Sequence, residues 1–166
     1  SLRLVPLVFL LLLAGCKSQA PPRAIERLAV LPLENLTGDR AFDWLSTGAQ
    51  VALKRQLTPS RTVAVSSYAG AADATLGRAT RLLHTTLEKR GGQLRIEAVL
   101  EDSFTYRQVG ERIILQQPPE QILAGLNQLA QGLAKDAAPP PTSKPAALAA
   151  YAIAQAASQP EARAAG

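Results

Sequence analysis

Sulfur chemistry is nearly missing from this sequence, which has no methionine and one cysteine, Cys16, among 166 residues. A single cysteine forms no disulfide within the chain and cannot build a thiolate metal cluster. Histidine is just as scarce, with His84 alone. A serine nucleophile needs a base, normally His, oriented by a carboxylate, and no Gly-x-Ser-x-Gly elbow accompanies His84. It falls in the middle of an alternating run, on the face opposite Leu83 and Leu87, and reads as a strand-surface side chain. No loop gathers acids in a calcium pattern. Gly91-Gly92 lacks the Lys-Ser/Thr that follows a phosphate-binding loop and is placed in a hairpin rather than before a helix. The chain therefore reads as non-enzymatic, with no cofactor and no metal. No apolar run reaches the ~20 residues that a membrane-spanning helix needs.

The longest such run is Leu4 to Ala14, preceded by Arg3 and followed by Gly15-Cys16. Its length, positive start and small-residue end fit the core of an export signal. Leu13-Ala14-Gly15-Cys16 resembles the lipobox of bacterial lipoproteins. The resemblance implies cleavage before Cys16, diacylglycerol on its thiol and an acyl chain such as palmitate on its new amino group. More than one chain is what makes such an anchor stable. Lys17, rather than Asp, follows the cysteine; in enterobacterial lipoproteins that implies the outer membrane, periplasmic face, with the periplasmic side of the inner membrane as the alternative. The sequence begins at Ser1 with no methionine, so the expectation is that its true start lies upstream.

Composition divides the chain into a signal (1–15), a polar tether (16–24), a folded domain (25–136) and a Pro/Ala-rich linker with a short helix (137–166). Formal charge is +5, and loss of Arg3 with the signal leaves +4. An exported chain rarely meets nucleic acid, so none is expected as a partner; an anionic lipid surface or peptidoglycan is the more natural counter-surface. Arg78, Arg81, Lys89, Arg90 and Arg95 read as a solvated basic face around the hairpin.

Within the domain, Arg27 to Leu33 is a near-continuous apolar run, as in a strand covered on both faces, with Pro32 marking its end or an edge. Asn35-Leu36-Thr37-Gly38-Asp39 reads as a turn in which Thr37 or Asp39 caps the next helix. Phe42, Leu45, Ala49, Ala52, Leu53 and Leu57 recur at helical spacing up to Pro59. Arg61 to Ser66 reads as a second strand and Ala69 to Arg78 as a weak helix. Thr80 to Lys89 and Leu94 to Asp102 alternate around a Gly91-Gly92 turn, which sets the hairpin register. Leu87 then faces Ile96, Thr85 faces Ala98, Leu83 faces Leu100 and Glu88 faces Arg95. Arg112 to Gln116 reads as another strand, and Ile122, Leu126, Leu129 and Leu133 as an amphipathic closing helix. The fold class expected is α/β, a mixed β-sheet with a Gly-Gly hairpin packed by two main helices and one weak one.

Leu28 to Asp39 resembles the opening of the amino-terminal domain of TolB-like proteins, where an apolar strand ending in Pro precedes x-Asn-Leu-Ser/Thr-Gly-Asp. The basic hairpin from Leu87 to Asp102 resembles the same family, and the likeness spans 25–136. It implies a domain of periplasmic assembly or sensing, with an envelope protein or a peptidoglycan-associated component as partner. Thr142 to Tyr151 is similar to the junction that leads, in such proteins, into tetratricopeptide repeats, which implies lost or truncated helical repeats. Two candidate sites emerge. Trp44, just before Leu45, is a candidate partner contact or core-margin residue. Asn35, Thr37 and Asp39 form a candidate ligand contact, since amides at a strand-to-helix turn can hold a small anion or cell-wall fragment.

Overall fold

A computed structural model describes residues 25–158; the apolar leader, Cys16 and the tether lie outside the described residues. Six strands form one mixed sheet: β1 (Glu26–Val30), β2 (Glu34–Asn35), β3 (Val63–Ser67), β4 (Arg81–Arg90), β5 (Gln93–Asp102) and β6 (Ile113–Gln117). The helices are α1 (Leu45–Leu57), α2 (Ala71–Leu76), α3 (Ile122–Leu133) and α4 (Pro145–Ala157). The strands run in the order β3-β1-β4-β5-β6. β1 pairs in parallel with β3 and β4, while β4-β5 and β5-β6 are antiparallel. This is the α/β class expected.

The hairpin has the register its turn dictates: Leu87 opposite Ile96, Thr85 opposite Ala98, Leu83 opposite Leu100 and Glu88 opposite Arg95. Gly91 and Gly92 take φ of +55° and +81°, the conformation that matches strand twist at a two-residue turn. Leu83, Leu87, Leu94 and Ile96 are thereby placed on one face, where they meet Leu45, Leu53 and Leu57 of α1 and Ile122, Leu126 and Leu129 of α3. A smaller cluster on the other face joins Ala29, Leu31 and Leu82 to Ala74 of α2. β1 is thus covered on both faces, as its apolar run requires.

The first strand ends at Val30, just before Pro32, as expected. The Leu31 amide still bonds Leu83 O, but proline has no N–H, and Leu33 turns its own amide to Ser46 O. The chain then rejoins β4 as β2, with Glu34 opposite Thr86 and Asn35 opposite Leu87. Two residues carry no periodicity, so this strand is not legible from pattern. Phe42, expected in the first helix, instead belongs to a 3₁₀ turn, Arg40–Phe42, that precedes α1. The Asp39 side chain caps it by accepting from the Ala41 amide at 2.9 Å.

The segment after the proline linker also differs from expectation. A 13-residue helix is too short to hold itself in water, yet α4 is held against α1. Leu148 and Ala152, one turn apart, are buried there, so the packed body extends beyond Asp136.

Gly92 allows a direct check on the hairpin. A left-handed φ costs an L-residue about 1–2 kcal/mol, so Gly92→Val should lower stability in urea by that amount. Gly70→Ala, at an extended φ with open space around its Cβ position, should change it little.

Candidate functional site

The parallel strands β1 and β3 end together at Val30 and Ser67. Crevices beside the carboxyl ends of such strands are where α/β folds bind ligands. Here the crevice is bounded by α1 on one side and α4 on the other. It is an open groove of about 590 Å³ lined by Pro32, Ser46, Thr47, Gln50, Lys54, Arg55, Tyr68, Tyr151 and Gln155, among others. Gln50 fixes its floor, donating through Nε2 to Val30 O at 2.8 Å and Tyr68 O at 2.9 Å. The Arg55 guanidinium lies 5.2 Å from the centre of the Tyr151 ring, within cation–π range. Among the described residues neither Lys54 nor Arg55 forms a salt bridge. The Gln155 side-chain oxygen Oε1 is buried with no hydrogen-bond partner among the described residues. The groove thus offers two cations and an aromatic face. Sequence reasoning misses it because α4 supplies one wall; the signal that could have found it is the i, i+4 pair Leu148 and Ala152.

Asn35, Thr37 and Asp39 are brought together, but around one another. Asn35 Nδ2 donates to Asp39 O at 3.0 Å and Asp43 Oδ1 at 2.7 Å. The Thr37 amide and hydroxyl both donate to Asn35 Oδ1, at 3.1 and 2.7 Å. The Asp39 amide donates to Thr37 Oγ1 at 3.0 Å. These donors are occupied, and Asp39 adds a negative charge 3.9 Å from Lys89. Trp44 lies just beyond this knot. Its ring covers Gly48 so closely that an added Cβ would lie 2.7 Å from Cε3, with Ala152 of α4 at 3.7 Å. It is half-buried against the core and does not line the groove.

His84 does point away from Leu83 and Leu87, onto the solvent side of the sheet, 3.2 Å from Glu101. That surface is a lattice of paired charges. Arg95 meets Glu88 at 3.4 Å and Glu97 at 2.7 Å, and Arg112 meets Glu97 at 2.6 Å. Of the expected basic face, Arg81, Lys89, Arg90 and Arg95 each have a carboxylate partner. No group of three or more His, Cys, Asp and Glu side chains within the described residues is placed to hold a metal.

At the opposite end of the sheet, Asp102 organises the loop that leaves β5. Its Oδ1 accepts from the Phe104 and Thr105 amides, each at 3.0 Å, and its Oδ2 accepts from Arg81 at 2.7 Å. The amide bonds, with a lesser contribution from Arg81, hold its carboxyl below the ordinary value of 3.8. Asp136 is held low in the same way, by the Arg61 amide and then the Ser60 hydroxyl. Its two oxygens tie the end of α3 to the α1–β3 connection.

The sequence matches no protein-family model and no curated protein. Among solved structures, the fold recurs in a PelC dodecamer from Paraburkholderia phytofirmans, with a TM-score of 0.51 at 14% identity over 69% of this chain and 90% of that one. TolB from Acinetobacter baumannii gives 0.49 at 14% identity over 68% of this chain, which spans only 28% of that protein. The lipoprotein GNA1162 from Neisseria meningitidis gives 0.44 at 13% identity, over 65% of this chain and 96% of that one.

A carboxylate with a depressed folded pKa stabilises fully above its unfolded value and loses that contribution as pH falls through the folded value. Stability should therefore decline from about pH 4 downward. An Asp102→Asn/Asp136→Asn variant should show a flatter acid limb in denaturant titrations repeated across pH, together with lower stability near neutrality.

Proposed function

We propose that this chain is a membrane-anchored envelope lipoprotein whose α/β domain is a non-enzymatic binding module for another envelope protein. The anchor is Cys16, with outer-membrane placement at the periplasmic face suggested by Lys17. The observation that carries the binding role is the groove between α1 and α4, with Lys54 and Arg55 exposed on its wall and Tyr151 beside them. Two cations without a salt bridge among the described residues favour an acidic segment, and the Tyr151 ring adds an apolar surface. Trp44 supports the groove from below by holding the start of α1 near α4. Asn35, Thr37 and Asp39 hold the loop that delivers Trp44.

A second reading is kept because the groove lies at the carboxyl ends of β1 and β3. There a small anion or a cell-wall fragment would be sensed at the same cations. The groove suits such a ligand better than the Asn35–Asp39 turn, where the Asn35 and Thr37 side chains and the Thr37 and Asp39 amides are already engaged.

Lys54→Glu/Arg55→Glu should cut partner recovery from solubilised envelopes by about tenfold or more, with no loss of fold, since rim charges govern such encounters. Unchanged recovery would remove the groove from the interface, and thermal stabilisation by wall fragments without any protein recovered would favour the sensing role. Cys16→Ser should abolish incorporation of a fatty-acid probe and leave unprocessed precursor; labelling that persists would overturn the anchor.

A further inference from the structure

The end of the domain opposite the groove carries exposed apolar side chains that no packing explains. Phe104 is 70% and Tyr106 60% exposed, Leu76 84% and Ile25 60%. Hydrogen bonds place them at one end. The Ser103 amide donates to Thr80 O and its hydroxyl to Ala79 O, and Arg27 Nε donates to Arg78 O. The loop after β5, the end of α2 and the start of β1 are therefore joined. Tyr106 also takes φ +53°, a left-handed conformation that disfavours a bulky side chain. Its conformation and its exposure are both unfavourable, yet the loop is rigidly built, because Asp102 accepts two of its amides. Retaining a strained, exposed aromatic on a fixed loop suggests a task for the ring.

We propose that this end rests on the lipid surface itself, with Phe104 and Tyr106 in the headgroup region and anionic lipids as the counter-charge. Aromatic rings favour that boundary, being apolar in body with, for tyrosine, a polar tip. Arg27, Arg78 and Arg107 are exposed at the same end, and none makes a salt bridge among the described residues. Glu26 and Asp102 there are drawn to Arg81 instead. The chain outside the described residues enters at this end, through Ile25. Nine residues lead from Cys16 to Ile25, a reach of at most about 30 Å even when fully extended. The inference rests on lipid attachment at Cys16, and the experiment separates the two.

The test uses the processed lipoprotein in vesicles containing phosphatidylglycerol, with Phe104→Cys labelled by a polarity-sensitive dye and Leu36→Cys as the control. Leu36 is bonded to Leu87 near the hairpin turn, at the far end of the sheet. With Cys16 acylated, the introduced thiol is the only one. The dye at position 104 should shift to the blue and be quenched by lipid-borne nitroxide, while that at position 36 should not. Two aqueous signals in protein whose mass shows the acyl chains would overturn the proposal. If mass shows no acyl chains, the anchor reading fails alone. The surface is then judged by flotation of the unlipidated chain with the same vesicles. Binding that drops at least tenfold in Phe104→Ala/Tyr106→Ala upholds it, and no flotation overturns it. A variant that converts a dimer to monomer in sedimentation without changing flotation also overturns it, in favour of a second copy.

Discussion

Strand β4 is the seam on which the remaining structure depends. It is hydrogen-bonded along one edge to β5 over its whole length, and along the other to β1 and then β2. The parallel and antiparallel halves of the sheet meet in this one strand. Leu82 and Leu83, neighbours pointing to opposite faces, are both fully buried. That is possible only where helices cover both sides, and α2 covers one while α1 and α3 cover the other. Towards Arg90 the α2 cover ends, and His84, Thr86 and Glu88 alternate with buried Thr85 and Leu87. One strand thus passes from doubly covered to half-covered, and its sequence passes from a continuous apolar pair to strict alternation.

That change explains how much of the fold could be read from the residues. The hairpin was legible because the turn and the alternation constrain the same register independently: Gly91-Gly92 admits positive φ, and a one-residue slip would expose every leucine. β1 was legible because its apolar run admits only a covered strand. β2 was not, since its two residues are recruited by the edge of β4 after Pro32 breaks the pairing. α4 was legible as a helix but not as a packed one. Its burial depends on the bare face of α1 at Gly48, where the absence of a side chain lets Trp44 and Ala152 approach.

The candidate site divides along the same line. Asn35, Thr37 and Asp39 were recognisable as turn chemistry, because short polar side chains bond nearby backbone groups. The structure shows that local bonding uses the donors a ligand would need. Groove residues such as Arg55 and Gln155 had no local signal; a hundred positions separate them, and tertiary packing alone makes them neighbours. The aromatic residues of the β5–β6 loop were equally silent. An exposed Phe104 is indistinguishable in sequence from a buried one.

The open face of the sheet limits where recognition can occur. Its charges are matched in a chain from Glu88 through Arg95 and Glu97 to Arg112. Each pair is modest in water, but together they neutralise most of the charge that would attract a partner to that face among the described residues. The opposite face is filled by α1 and α3. What remains are the two ends of the strands, and parallel topology makes them unlike. One end gathers the carboxyl termini of β1 and β3, the groove and two cations that form no salt bridge among the described residues. The other gathers the amino terminus of β1 and the exposed aromatics, Phe104 and Tyr106. On the proposed reading, an anchor preceding β1 would leave the groove on the end away from the membrane, facing the space in which a soluble partner would approach. Attachment and recognition, as proposed, would then be kept apart by the direction of β1 alone, with no hinge required to separate them.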